Sequence, residues 1–123
     1  MKLRPHHLLC IQKYTGHGYN AAFTAHMNRL TAALTAETEI RIVSGTDDIC
    51  TACPNRCADR CRSEEKVRRM DLAAAACCGI TADTVQQWQQ LAQTAYVRVF
   101  CTDAFARICA DCEWYTLCCE KEL

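Results

Sequence analysis

Apolar positions along the chain recur mostly at helical spacing. Phe23, Met27, Leu30 and Leu34 follow one another at steps of four, three and four, and Asn20 stands where an N-cap belongs. Ser63, Glu64 and Glu65 open a second stripe of Val67, Met70, Ala74 and Cys77, with acids at the positive end of the helix dipole. Gly79 is a natural stop for it. A third stripe, Val85, Trp88, Leu91 or Ala92, Ala95 and Val99, predicts a long helix from Thr81 or Asp83. Its end "YVRVF" also suits a strand. Pro5 fits a first helical position, so "PHHLLCIQKY" reads as a short helix broken by "TGHG". "DAFARI" adds another turn of helix. "EIRIV", residues 39–43, alternates and is rich in β-branched residues, predicting one short strand without an evident partner. Residues 44–62 read as loop. The expected fold is mainly α, with at most a short strand or hairpin, organised around cysteine-ligated metal.

Length fits a single domain over residues 1–123. A chain of this size buries roughly two-thirds of its extended surface, enough for a modest core. Net charge is zero, which argues against a dedicated nucleic-acid binder. No apolar run approaches the ~20 residues of a membrane span. "MKLRPHHLLCIQKY" places Pro5, His6 and His7 where a signal peptide needs an apolar centre, so the chain reads as cytoplasmic.

That compartment changes the meaning of the twelve cysteines. Cytosolic thiols stay reduced, so metal or redox chemistry is favoured over a disulfide scaffold. Two loops carry a C-x2-C step: Cys50, Cys53, Cys57 and Cys61, then Cys109, Cys112, Cys118 and Cys119. Two intervening residues let one tight turn aim both sulfurs at one ion and direct its N–H groups toward them. Cys10 lies three residues after His7 and four after His6, so either histidine can share its helix face. The plainer alternative keeps both histidines at the helix start, capping or solvated. Cys77, Cys78 and Cys101 extend apolar segments and read as core or near-surface thiols. Spacing leaves zinc and iron–sulfur equally open, because C-x2-C-x3-C-x3-C is near to the ferredoxin spacing without matching it. Six basic residues (Arg56, Arg60, Arg62, Lys66, Arg68, Arg69) face only Asp59, Glu64 and Glu65 in their segment. They would offset an anionic centre, dock an acidic partner or a phosphate, or simply form a solvated face.

"RPHHLLC", "GHGYN", "IRIVSGTDDICTACPN", "SEEKVRRMD" and "ICADCEWYTLC", in this order, resemble a family of small bacterial and archaeal proteins of unknown function suspected of binding iron–sulfur clusters. His17 stands where that family more often has lysine. The resemblance implies that His6, His7, Cys10, Cys50, Cys53, Cys61, Cys109, Cys112 and Cys118 belong to its pattern. Cys57, Cys77, Cys78, Cys101 and Cys119 are additions. Seven pattern cysteines exceed one four-thiolate site and fall one short of two. One [4Fe–4S] cluster with structural thiols, two clusters with His6 or His7 as eighth ligand, or one cluster plus one Zn²⁺ would each satisfy that arithmetic. At least one cluster is expected, with Cys50, Cys53, Cys109 and Cys112 first among its ligands and Cys61, Cys118 and Cys10 next, in a site that draws on both loops.

The leading expectation is a [4Fe–4S] protein acting in electron transfer or as an accessory redox module, with an unidentified redox or protein partner. One rival is a zinc-stapled interaction module. Another is a small metalloenzyme with an open metal position near His6, His7, Asp47, Asp48 and Trp114. No P-loop, dinucleotide fingerprint or nucleophile–base set is present. A thiol–disulfide role is weakened by the lack of a βαβ pattern.

Overall fold

The computed structural model describes residues 1–58 and 60–123; Asp59, one of the acids of the basic segment, lies outside them. Six α-helices dominate the described residues, with a three-stranded sheet and a two-stranded ribbon. The helical expectation holds in outline, and "at most a short strand or hairpin" is corrected. Strand β2 (Glu39–Ile42) is central, with β1 (Lys2–Leu3) parallel on one side and β5 (Val85–Gln87) antiparallel on the other. Two- and three-residue strands carry too little alternation to announce themselves, and here the edges of β2 recruit them.

The parallel β1–β2 pairing has a consequence for function. Lys2 pairs with Arg41 and Leu3 with Ile42, so the chain leaves both strands at the same end of the sheet. Residues 4–7 therefore emerge beside residues 43–50. Val43 N–H donates to Leu3 O, and Asp48 N–H to Lys2 O, at 3.0 and 3.1 Å. Leu3, Ile40 and Ile42 are fully buried on one face.

Helix α1 (His7–Lys13) follows, beginning two residues after Pro5, which lies in the preceding turn. Helix α2 (Ala21–Ala33) starts as its sequence dictates, with Asn20 Oδ1 accepting from Phe23 N–H at 2.8 Å. Its inward side carries Phe23 and Met27. Residues 44–62, expected as loop, contain a 3-10 turn (Ile49–Ala52) and the ribbon β3 (Arg56–Cys57) with β4 (Arg60–Cys61). Helix α3 (Glu64–Cys78) buries Met70, Ala74 and Cys78 and ends on Gly79 in the left-handed region, φ 66°. Cys77 is half-buried.

The long helix expected from residues 81–83 is corrected. Residues 85–87 form β5, and Val85, placed on the helical stripe by its spacing, is exposed instead. Pairing with the open edge of β2 outweighs three residues of helical period. Helix α4 (Trp88–Ala95) then buries Leu91 and Ala95. "YVRVF" is neither strand nor regular helix but a π-helical turn, Tyr96–Phe100, which keeps Val99 fully buried. Helix α5 (Ala104–Cys109) and helix α6 (Tyr115–Glu120) complete the chain. One continuous core links the sheet to all the helices except α6, whose Tyr115 packs on its edge. Among the described residues no helix is long and apolar enough to cross a membrane.

Candidate metal centre

Both C-x2-C steps fold into the same turn. Cys53 N–H donates to Cys50 O at 3.1 Å, and Cys112 N–H donates to Cys109 O at 2.9 Å. Each continues with a second bond three residues on, Arg56 N–H to Cys53 O and Tyr115 N–H to Cys112 O, both 3.1 Å. Such a turn turns the two thiols the same way and frees following N–H groups to meet sulfur. Ser63 N–H lies 3.4 Å from Cys61 Sγ, and the N–H groups of Asn55 and Arg56 favour the thiolate of Cys53. Pro54, without an N–H, sits between them.

A cavity of about 150 Å³ opens between these turns, α1 and the start of α3. Its wall contains Cys10, Cys50, Cys53, Cys61, Cys109, Cys112 and Cys118, together with His6 and His7. Every residue singled out from the sequence pattern thus reaches one space, although they span 113 positions of the chain, from His6 to Cys118. Of the remaining candidates, Trp114 also lines it. Asp47 and Asp48 do not. All twelve cysteines are free thiols. Cys57, Cys101 and Cys119 are exposed, Cys78 is buried, and none of these nor Cys77 lines the cavity.

The thiols divide into two groups. Cys10 is half-buried; burial, and then the proximity of Cys109, Cys112 and Cys118, push its pKa well above the usual thiol value. Burial and the same neighbours, Cys112 and Cys118, push Cys109 up to about 12. Cys118 is raised by burial and Cys112, while Lys13 and Lys121 pull the other way. Helix α1, the end of α5, the turn after it and α6 thus contribute one thiol each to the cavity wall. In the second group, burial and Cys61 raise Cys53. Cys50 is pushed up to about 12 by burial and then by Asp47. A cation entering either group would have to displace thiol protons, and would do so readily once bound.

Behind the wall stands a buried charge network that the sequence reading missed. Arg4 is 1% exposed. Its Nε donates to Asp71 Oδ2 at 2.7 Å, its guanidinium reaches Glu64 Oε2 at 3.1 Å, and its backbone N–H donates to Asp47 Oδ2 at 2.7 Å. Burial opposes its charge, but Asp71 and Glu64 outweigh burial and raise its pKa. Asp71 Oδ1 accepts both the backbone N–H and the ring Nδ1 of His6, the latter at 2.6 Å. Burial, then the charge of His7, lowers His6 to about 4, so the ring is neutral at pH 7 with its proton on Nδ1 facing Asp71. Asp47 Oδ2 takes His7 Nδ1 at 2.7 Å, while its Oδ1 accepts the N–H groups of Ile49 and Cys50 at 3.0 and 3.2 Å.

The histidines do stand at the helix start, His6 as the N-cap residue of α1 and His7 as its first residue, but neither side chain caps the helix or is solvated as that reading expected. Three carboxylates from β2's exit and α3 grip the Arg4–His7 segment and aim both rings. The signal was present in "RPHH", "TDD" and "SEEKVRRMD", since a run of donors needs acids once it is buried. Only the fold shows which acids.

The other cavity walls are aromatic. Tyr14, His17, Trp114, Tyr19 and Phe23 form a chain of ring contacts, each 5.1–5.6 Å between centroids. Lys13 Nζ lies 5.1 Å from the Phe100 and Phe105 centroids and donates to Lys121 O at 2.6 Å. The basic segment is mostly exposed, as a solvated face would be. Arg69 meets Asp111 at 2.5 Å, and Glu64 is turned inward to Arg4.

A family model described as a protein of unknown function, DUF1284, matches residues 18–118. The chain belongs to the DUF1284 family. The matched span contains six of the cavity cysteines, Cys50, Cys53, Cys61, Cys109, Cys112 and Cys118, and the acids Asp47, Glu64 and Asp71. The Arg4–Cys10 segment that docks onto those acids precedes it. No curated protein and no solved structure matches the chain. DUF1284 membership supplies no reaction, so the chemistry rests on the cavity.

Proposed function

We propose that this protein binds a [4Fe–4S] cluster on Cys10, Cys109, Cys112 and Cys118 and serves in electron transfer or as an accessory redox module. The observation that carries the reading is that four thiols from α1, the end of α5, the turn after it and α6 line one cavity. Four thiolates are the ligand complement of such a cluster. The donor set fits: the neighbouring thiols help raise the pKa of Cys10, Cys109 and Cys118, and a cation relieves that repulsion. When bound, the cluster would supply one-electron chemistry. The protein's part is to fix the sulfurs, exclude water with Phe105, Tyr115 and Trp114, and set the potential. Lys13 and Lys121, whose charges favour the Cys118 thiolate, would raise that potential.

A four-thiolate group is also a closed structural zinc site. The shared turn geometry of the two C-x2-C steps favours neither metal. The test is spectroscopic. Protein purified without oxygen should be brown, bleach on dithionite and give an EPR signal of a reduced cluster. Colourless protein with stoichiometric zinc at these four cysteines would replace the redox reading with that of a zinc-stapled interaction module.

A further inference from the structure

Three cavity cysteines remain outside the four-thiolate group: Cys50, Cys53 and Cys61. We propose that they form, with His7, a second and separate centre for a single divalent ion of the zinc class, with Asp47 as a positioning residue. This proposal uses the same cavity as the function above but does not depend on what the four-thiolate group holds.

The first observation is convergence. A ring nitrogen of His7, a carboxylate oxygen of Asp47 and the sulfur of Cys50 lie within 4.8 Å of one another. Taken alone, that trio names Asp47 as a ligand, and the hydrogen bonds argue otherwise. A carboxylate has about four lone-pair sites. Those of Asp47 are taken by Arg4 N–H, His7 Nδ1, Ile49 N–H and Cys50 N–H. Its side chain is fully buried and stands outside the cavity wall. It has no oxygen to spare for a metal, but it does what a carboxylate behind a metal-binding histidine does. It holds Nδ1, fixes the tautomer and leaves Nε2 as the coordinating nitrogen. Among the described residues no protein group hydrogen-bonds His7 Nε2, and the ring lines the cavity.

The second observation is how the three sulfurs are dressed. Ser63 N–H donates to Cys61 Sγ at 3.4 Å, the backbone N–H groups of Asn55 and Arg56 favour the Cys53 thiolate, and all three sulfurs line the cavity. Three sulfurs and one imidazole on one cavity wall would supply a Cys3His set, a donor combination of closed structural zinc sites. Cys50 already lies within 4.8 Å of a His7 nitrogen, and Cys53 and Cys61 would close in on binding. Occupancy would pin the 3-10 turn, the β3–β4 ribbon and the start of α1 to one point.

The test loads anaerobic, chelator-treated full-length protein with Co²⁺, whose charge-transfer and ligand-field bands report thiolate and imidazole ligation. Two Co²⁺ per chain are expected. The C10S/C118S variant should keep one, with the spectrum of a three-thiolate, one-imidazole site. C53S/C61S should lose that site and keep the other. His7→Ala should shift the ligand-field bands of the second site alone. Asp47→Asn should weaken its Co²⁺ affinity by about 10–100-fold, the usual effect of losing such a carboxylate, while leaving the thiolate bands in place. A native chain in which no Co²⁺ responds to H7A and D47N, whatever the total bound, overturns the proposal. Should C10S/C118S fail to fold by far-UV circular dichroism, the native-chain and H7A spectra decide. Absence of a cluster signal with a His7-dependent second Co²⁺ would refute the redox reading and uphold this one.

Discussion

Replacing Arg4 by methionine probes the frame that carries the site. The guanidinium is almost wholly buried, and the side chains of its partners Glu64 and Asp71 are 7% and 11% exposed. Methionine keeps the stem's packing and removes the charge. Two carboxylates are then left in a dry site. Glu64 retains Cys61 N–H at 3.2 Å and a distant Arg68; Asp71 retains His6. Removing one partner of a buried ion pair costs about 3–5 kcal/mol. That is a large share of the 5–15 kcal/mol by which a domain is typically stable. The cost should depend on pH. Burial raises Asp71 and Glu64, but their hydrogen bonds and Arg4 outweigh it and hold both below the ordinary carboxylate pKa. Their native-state stabilisation is therefore complete above the unfolded values near ~4 and is lost as pH falls through the depressed ones. Without Arg4 both pKa values climb, so the carboxylates take up protons at higher pH and the difference between the two proteins narrows on acidification. Urea unfolding at pH 7 and pH 5, on protein of matched metal content, measures both effects. The triple change Arg4→Met, Glu64→Gln, Asp71→Asn should recover most of the loss, because no charge is left unpaired. A cost below about 1 kcal/mol at pH 7 would refute the argument, since only well-solvated carboxylates would tolerate the loss so cheaply.

Further expectations follow from individual residues. Cys112→Ser should abolish the visible chromophore of anaerobic protein, whereas Cys57→Ser and Cys101→Ser, both exposed and outside the cavity, should leave it intact; absorption spectra of the three decide. Asn20→Ala removes the cap of α2 and should cost about 1 kcal/mol in urea unfolding without altering metal content. Leu91→Ala empties a site 1% exposed between α4 and the core and should cost about 2–5 kcal/mol in the same assay.

Helices α2 and α3 could be read from the chain because each has both signals that local physics offers, a cap and a sustained stripe. Asn20 caps the first, and Gly79 stops the second. Strand β2 was legible from its alternation. Strand β5 was not, because Val85 sits at helical spacing from Trp88, and only the vacant edge of β2, a distant segment, decides otherwise. The cysteines of the site were legible because C-x2-C is a local geometry. Their partition into four and three was not. It depends on Cys10 arriving at the far group, beside α5 and α6, while His7, three residues earlier, faces the near one. Nor could the sequence reveal which acids hold the histidines. Asp47, Glu64 and Asp71 are chosen by the parallel pairing of β1 with β2 and by the face α3 turns to it.

The central claim is that sulfurs from opposite ends of the chain meet around metal. Anomalous diffraction from crystals grown without oxygen, collected across the iron and zinc absorption edges, tests it most directly. Iron density bounded by Cys10, Cys109, Cys112 and Cys118 is the predicted result. Crystals with no anomalous scatterer in the cavity, or with one bound only at Cys77 and Cys78, would contradict it.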